Sequence, residues 1–215
     1  MHLKLLDLCC CGGMASLGYE RAGFDVTGVD IESQPKYRGR FIQADAIEFL
    51  LDNHRNFDVF HASPPCQKWS SSTLQQRKNG KEYIDLIAPL RNIFLKLGKP
   101  YVIENVPNAP LVDPVLYCGA MFGLRTYRHR LFESNFKIVP PKHPMHIARN
   151  TPMGRRPKPG ENIQYVGNFS GVAEVQEMLG VDWLGQKELA QSIPWHYTLH
   201  IGLQMRRLFD NSSYF

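Results

Sequence analysis

The sequence has no apolar run approaching the roughly 18–20 residues that a membrane-crossing helix needs, so no membrane span is expected. It also lacks a disulfide framework. There are five cysteines, of which Cys9, Cys10 and Cys11 are consecutive and Cys66 and Cys118 stand alone. An odd count without framework spacing points to reduced thiols in a cytosol. Met1–Leu8 runs directly into a strand-like stretch and lacks signal-peptide anatomy, so a cytoplasmic protein is expected. Internal repeats and low-complexity tracts are missing as well. His143 and His146 are close neighbours, but no second pair of Cys or His stands at ligand spacing, so no metal is expected. What remains is a chain of 215 residues, 43% hydrophobic and 21% charged. That is enough for one domain with its own core, or one domain with a small appendage.

Charge is distributed unevenly. Residues 125–158 contain nine basic side chains and one acidic one, Glu133, for a local net charge of +8. The other 16 basic and 19 acidic residues leave the remainder at −3. A slightly acidic body with a basic flap suits a polyanionic partner, or else marks a solvated loop.

The first 130 residues alternate between strand and helix patterns. Strands are predicted at Leu3–Leu8, Phe24–Asp30, Arg40–Gln43, Phe57–Ala62 and Tyr101–Asn105, and Arg130–Ser134 is strand-like. Helices are predicted at Ala15–Ala22, at Ala46–Leu51 with Asp45 as cap, and at Glu82–Leu97 with Gly98 as stop. The polar stretch Gln67–Lys81 reads as a mobile loop. This alternation means an α/β protein whose parallel sheet is covered on both faces. Residues 135–162 hold six of the fifteen prolines, which argues against regular elements there. Helices at Val172–Leu179, Gln186–Ser192 and Tyr197–Leu208 close the chain.

Ligands of such sheets bind beyond the carboxyl ends of the strands, so those positions carry the functional candidates. Cys9-Cys10-Cys11-Gly12-Gly13-Met14 follows the first strand and opens a helix. It is either a ligand-approaching turn or an ordinary one. Asp30 ends the second strand, where an acid can accept hydrogen bonds from ribose hydroxyls, and Asp45 follows the third. Ser63-Pro64-Pro65-Cys66-Gln67 follows the fourth. Two prolines pin the backbone and set a thiol at the rim, as a nucleophile or as an inert half-buried group. Glu104-Asn105-Val106 ends the fifth strand, where a carboxylate can move a proton or simply cap a helix. Arg128 and Arg130 share one face if extended. Tyr165, Phe169 and Trp183 are read as core rather than as base-stacking platforms, and Cys118 as core.

The order DLCCCGG, GVDIE, QADA, SPPCQ, ENV, RHR resembles the cytosine-C5 DNA methyltransferase family, especially its compact phage-type members. The likeness runs over roughly residues 3–134 with a weaker echo at 187–204. It implies an α/β fold of the class I S-adenosylmethionine-dependent type, with a Rossmann-like, doubly wound, mostly parallel sheet and a small irregular target-recognition module. Residues 1–134 would form the catalytic cofactor-binding domain and 135–185 the basic, proline-rich recognition module. Residues 186–215 would be helices returning to the first part. By the same likeness Cys9, Cys10, Cys11, Gly12, Gly13, Met14, Asp30, Ile31, Asp45, Ala46 and Pro64 would line the S-adenosylmethionine site. Cys66 would be the nucleophile, Glu104 the partner of the base, and Arg128 and Arg130 would flank the reacting nucleotide. The expected activity is methyl transfer to C5 of cytosine in DNA through a Cys66–C6 adduct on a flipped-out base, in a bacterial or phage-infected cytosol, with segment 125–158 on the phosphate backbone. The alternatives are the same chemistry on RNA or a free pyrimidine nucleotide, and a relative that binds DNA without modifying it.

Overall fold

Short β-branched and aliphatic runs that end at Asp, Gly or Pro build the strands, and apolar stripes at helical spacing build the helices between them. A computed structural model describes residues 2–210; Met1 and residues 211–215 of the expected C-terminal part lie outside the described residues. Seven strands form one sheet: β1 (Lys4–Leu8), β2 (Asp25–Asp30), β3 (Arg40–Gln43), β4 (Val59–Ala62), β5 (Tyr101–Asn105), β6 (Val115–Tyr117) and β7 (Arg130–Ser134). Their order is β3-β2-β1-β4-β5-β7-β6. The first five are parallel, while β7 runs antiparallel to both β5 and β6. The order reverses between β1 and β4, and the crevice over their carboxyl ends is the ligand position of such sheets.

Alternation along the strands feeds two cores. Leu5, Val59, Val102 and Phe132 pack under α1 (Met14–Arg21) and the C-terminal helix. Leu6, Phe60 and Ile103 face the opposite way, against α2 (Ala46–Asn53) and a later helix. Tyr165 and Phe169 are buried in a third cluster, as the sequence reading expects, whereas Trp183 is only partly covered. Cys118 is buried too.

Three boundaries differ from expectation. The stretch Gln67–Lys81 contains a short helix, α3 (Leu74–Lys78), after a 3-10 turn. Arg77 orders it by donating to the carbonyls of Gln67 and Ser70 and to Thr73 Oγ1. The helix expected from Glu82 starts only at Ile87, as α4 (Ile87–Leu97). Pro89 has no N–H for a preceding turn, and the Asp85 carboxylate takes the Ile87 N–H instead. The strand β6 has no clear sequence signal because it is three residues long. Residues 135–171 form no helix or strand, and α5 (Val172–Leu179), α6 (Gln186–Gln191) and α7 (Trp195–Asp210) follow.

Candidate active site

Three strand ends supply the groups. The loop after β4 carries Pro64 and Cys66, and Glu104 sits near the end of β5. Because β7 is antiparallel, with Asn105 opposite Leu131, its first residue Arg130 reaches the same edge of the sheet. Asn105 Nδ2 donates to the Pro64 carbonyl at 2.9 Å, so the thiol-bearing loop is tied directly to the strand that bears the acid. Arg130 Nε meets Glu104 Oε1 at 2.9 Å, with both side chains largely buried.

The electrostatics couple Cys66 to Glu104. Burial, joined by the neighbouring Glu104 charge, pushes the Cys66 thiol up, while Arg130 and Arg128 pull it down. Burial also pushes the Glu104 carboxyl up, against Arg130, a hydrogen bond from Ser63, and Arg128. A carboxyl raised in this way is suited to carry a proton to a substrate. The thiol expected to be ionised is held toward its neutral form, chiefly by burial and next by the Glu104 charge.

A buried relay that sequence reasoning missed stands behind Glu104. Tyr19 Oη lies 2.9 Å from His61 Nδ1, and His61 Nε2 lies 3.1 Å from Ser63 Oγ. With Ser63 donating to Glu104, the chain assigns the Nε2–H tautomer to His61. Burial lowers the His61 pKa to about 3, so the ring is neutral. The available signal was a histidine inside an otherwise apolar strand.

Arg128 differs from expectation. Its guanidinium donates to the carbonyls of Ser192 (2.7 Å), Tyr165 (2.8 Å) and Ala190 (2.7 Å) and lies over the Tyr165 ring. Its field reaches Cys66, but its donors clamp the C-terminal segments to the sheet instead of flanking a nucleotide. Its backbone is in the left-handed region at φ 27°, a conformation seldom adopted by a non-glycine residue.

The turn after β1 is tightly wound. Cys9, Cys11 and Gly13 all have positive φ (58°, 45° and 81°). Asp30 holds this turn to β2, with Oδ2 accepting the Cys11 N–H at 2.9 Å and Oδ1 the Glu32 N–H at 3.0 Å. Burial keeps the Cys9, Cys10 and Cys11 thiols far above their ordinary pKa, so they stay neutral. Gly12 abuts Leu184, and the Met14 side chain is buried in the third core, so only its backbone faces the turn. Ile31 is 68% exposed just beyond Asp30. Asp45 Oδ1 caps α2 by accepting from the N–H groups of Ile47 and Glu48, and Ala46 is buried beneath it. Asp7, in β1, was also missed. It is completely buried, accepts from Ser16, and its Oδ1 has no hydrogen-bond partner among the described residues.

Of the nine basic residues between 125 and 158, Arg128, Arg130 and Arg155 are engaged internally, the last with Glu161 at 2.6 Å. Glu133, the only acid in that window, is buried on Arg91 at 2.6 Å. The exposed charge of this segment is therefore carried by Arg125, Lys137, Lys142, Arg149 and Lys158, and by Arg156, which is exposed but lies 3.8 Å from Glu174. Among the described residues no helix is long and apolar enough to cross a membrane. One group falls outside this site: Cys118, His129, His143 and His146 converge near the edge formed by β6 and β7, against the expectation that no second ligand pair exists.

Residues 3–113 match the family model for C-5 cytosine-specific DNA methylases. Two curated relatives are Type II methyltransferase M.FnuDI of Fusobacterium nucleatum (29% identical over 114 residues) and Type II methyltransferase M1.HphI of Haemophilus parahaemolyticus (34% over 128). The matches take in 48% and 49% of this chain but only 32% and 33% of those proteins. Among solved structures, a protein encoded within an E. coli prophage, described as a DNA modification methyltransferase, superposes with a TM-score of 0.68 at 15% identity, over 97% of this chain and 99% of its own. The S. pombe Dnmt2 methyltransferase gives 0.61 at 11% identity over 100% of both chains. At such identities the likeness shows the fold.

Proposed function

The chain belongs to the C-5 cytosine-specific DNA methylase family, and on that premise we propose that it methylates C5 of cytosine in DNA. Its sheet is that of a class I methyltransferase. The observation that carries the reading is the junction at the strand ends: a thiol on a loop fastened to β5, beside a buried carboxyl already engaged by an arginine.

Cytosine C5 is too weakly nucleophilic to react unaided. The Cys66 thiol gives up its proton to solvent and adds to C6 as the thiolate while Glu104, as the acid, gives its proton to N3, so that C5 gains enamine character. Arg130 then stabilises the Glu104 carboxylate and the polar edge of the ring. S-adenosylmethionine supplies the electrophilic methyl group. The N3 proton returns to the Glu104 carboxylate, the C5 proton passes to solvent, and expulsion of the Cys66 thiolate restores the aromatic ring.

The turn at the end of β1 fits that cofactor. Its left-handed residues bring backbone close to a ligand, and Asp30 retains lone pairs for ribose hydroxyls. Ile31 offers an apolar face to the adenine. The uncapped oxygen of Asp45 and the backbone of Cys10, Gly12 and Pro64 complete the lining. Residues 1–134 hold this machinery, and residues 135–185 with the exposed basic side chains hold the phosphate backbone. The target base must be turned out of the duplex to reach Cys66.

The test is a duplex containing 5-fluorocytosine. Fluorine does not leave as a proton does, so a covalent, denaturation-resistant adduct forms, dependent on S-adenosylmethionine and lost in Cys66→Ser. Absence of the adduct at a site that is otherwise methylated removes Cys66 from the mechanism. Binding that falls steeply with salt identifies a polymeric substrate; binding nearly independent of salt points to a nucleotide instead.

A further inference from the structure

The group at the sheet edge comes from four places in the sequence. Cys118 follows β6 and His129 precedes β7. The register of those strands, Tyr117 opposite Arg130, sets the two residues side by side. A hydrogen bond from Gly119 N–H to the Tyr127 carbonyl (2.8 Å) fixes that juxtaposition. His143 and His146 arrive from the proline-rich segment. One ligand atom from each residue lies within 4.8 Å of all the others. Cys118 Sγ is 3.3 Å from His146 Nε2, and His143 Nε2 is 3.4 Å from His129 Nε2. Around a tetrahedral zinc ion with ordinary bond lengths, sulfur–nitrogen and nitrogen–nitrogen separations are about 3.6 and 3.3 Å.

We infer that Cys118, His129, His143 and His146 form a four-coordinate zinc site that staples the proline-rich segment to the β6–β7 edge of the sheet.

Two further observations support this assignment. His143 Nδ1 lies 2.8 Å from the Pro144 carbonyl, which only a protonated Nδ1 can satisfy, so Nε2 is left with its lone pair directed at the cluster. Apart from Tyr127, which stacks on His146 and donates to the Ala148 carbonyl (2.7 Å), and the pairing of Val139 with Gln204, the histidine-bearing segment has few anchors. It contains no helix or strand, and its large apolar side chains Met145 and Ile147 are 86% and 89% exposed. Burial of apolar surface therefore does not fix it, and a shared ion does. A set of one sulfur and three imidazoles selects zinc over hard cations, and four protein ligands leave no open position for catalysis. The role is structural. His129 stands between Arg128 and Arg130, so the staple also steadies the strand start that brings Arg130 to Glu104.

The test needs neither DNA nor turnover, so it succeeds or fails independently of the methyl-transfer reading. The full chain is produced without a polyhistidine tag, equilibrated with zinc, gel-filtered and assayed by elemental analysis. About one zinc per chain is expected, as in closed structural sites. The double substitution His143→Ala/His146→Ala removes exposed side chains, so the fold persists by circular dichroism while the zinc is lost. In that variant, proteolysis within 135–160 accelerates. Cobalt in place of zinc gives tetrahedral visible bands and a sulfur-to-metal charge-transfer band, and Cys118→Ser abolishes the latter. A chain that retains no zinc after gel filtration overturns the assignment. So do zinc retained in full by the double variant, which marks adventitious binding only, and a cobalt spectrum without the sulfur band.

Discussion

Cys66 and Glu104 are coupled because both are buried and the Glu104 charge helps to push the Cys66 thiol up. Removing the carboxylate charge therefore has opposite effects on the thiol and on the reaction. In Glu104→Gln the Cys66 pKa falls, since its main charged opponent is gone and Arg130 is released from its partner. Alkylation of Cys66 at neutral pH then speeds up, on the order of tenfold for each pKa unit. Methyl transfer meanwhile drops by roughly 10²–10⁴, because glutamine has no proton to give to N3. Iodoacetamide labelling and a methylation assay on the same preparation check both; a slower-labelling thiol rejects the coupling. At this scale the sequence was most informative where chemistry and covalent stiffness coincide, as in Ser63-Pro64-Pro65-Cys66. It was least informative where a role depends on partners distant along the chain. Arg128 could not be recognised as a clamp without knowing that Tyr165, Ala190 and Ser192 surround it. Nor could Cys118 be paired with histidines 11, 25 and 28 positions away, a spacing that resembles no ligand motif.

Elements were legible wherever a local rule decides them. Asp45 caps α2 and Gly98 ends α4 as read, because a side-chain oxygen before a helix and a left-handed glycine after it act on neighbouring backbone alone. The five parallel strands were likewise visible as apolar runs. The strand β6 and the late start of α4 were not, since one is fixed by its antiparallel partner and the other by Pro89 cancelling an otherwise convincing rhythm. Helix pairing shows the same limit. Gly18 lies where α1 crosses α7, and a Cβ there would stand 2.0 Å from Thr198 Oγ1 and 2.2 Å from the Trp195 carbonyl. Backbone cannot yield as a flexible side chain would. Gly18→Ala therefore forces the two helices apart, and the Thr198 hydroxyl loses its 2.8 Å contact with the Ala15 carbonyl. A loss of roughly 1–3 kcal/mol is expected, despite the better helix propensity of alanine. Urea denaturation of the two proteins measures it; an equal or higher midpoint for the variant contradicts this packing.

For the molecule as a whole, two buried titratable groups on adjacent strands set opposing responses to pH. Asp7 has its pKa pushed up to about 7, foremost by burial, with Asp30, Glu20 and Glu104 adding and Ser16 opposing. The folded chain thus binds its proton more tightly than the unfolded chain, whose reference value is 3.8. The stabilisation is complete below about pH 4 and is lost as pH rises through about 7. His61 behaves in the opposite sense. Burial lowers its pKa from 6.5 to about 3, so its contribution is complete above 6.5 and is lost as pH falls toward 3. Between about pH 4 and 6.5 the two slopes oppose each other, and the parent protein changes less than either group alone would dictate. Asp7→Asn keeps the size of the side chain and removes its titration. The stability of the variant relative to the parent then climbs from about pH 4 to about pH 7 and levels off above. At about 1.4 kcal/mol per pKa unit, the climb amounts to on the order of 4 kcal/mol. Denaturation of both proteins at several pH values reads the difference directly. A flat difference means that Asp7 is already ionised in the fold, and with it falls the idea that the uncapped Oδ1 beneath the β1 turn is held neutral by its surroundings.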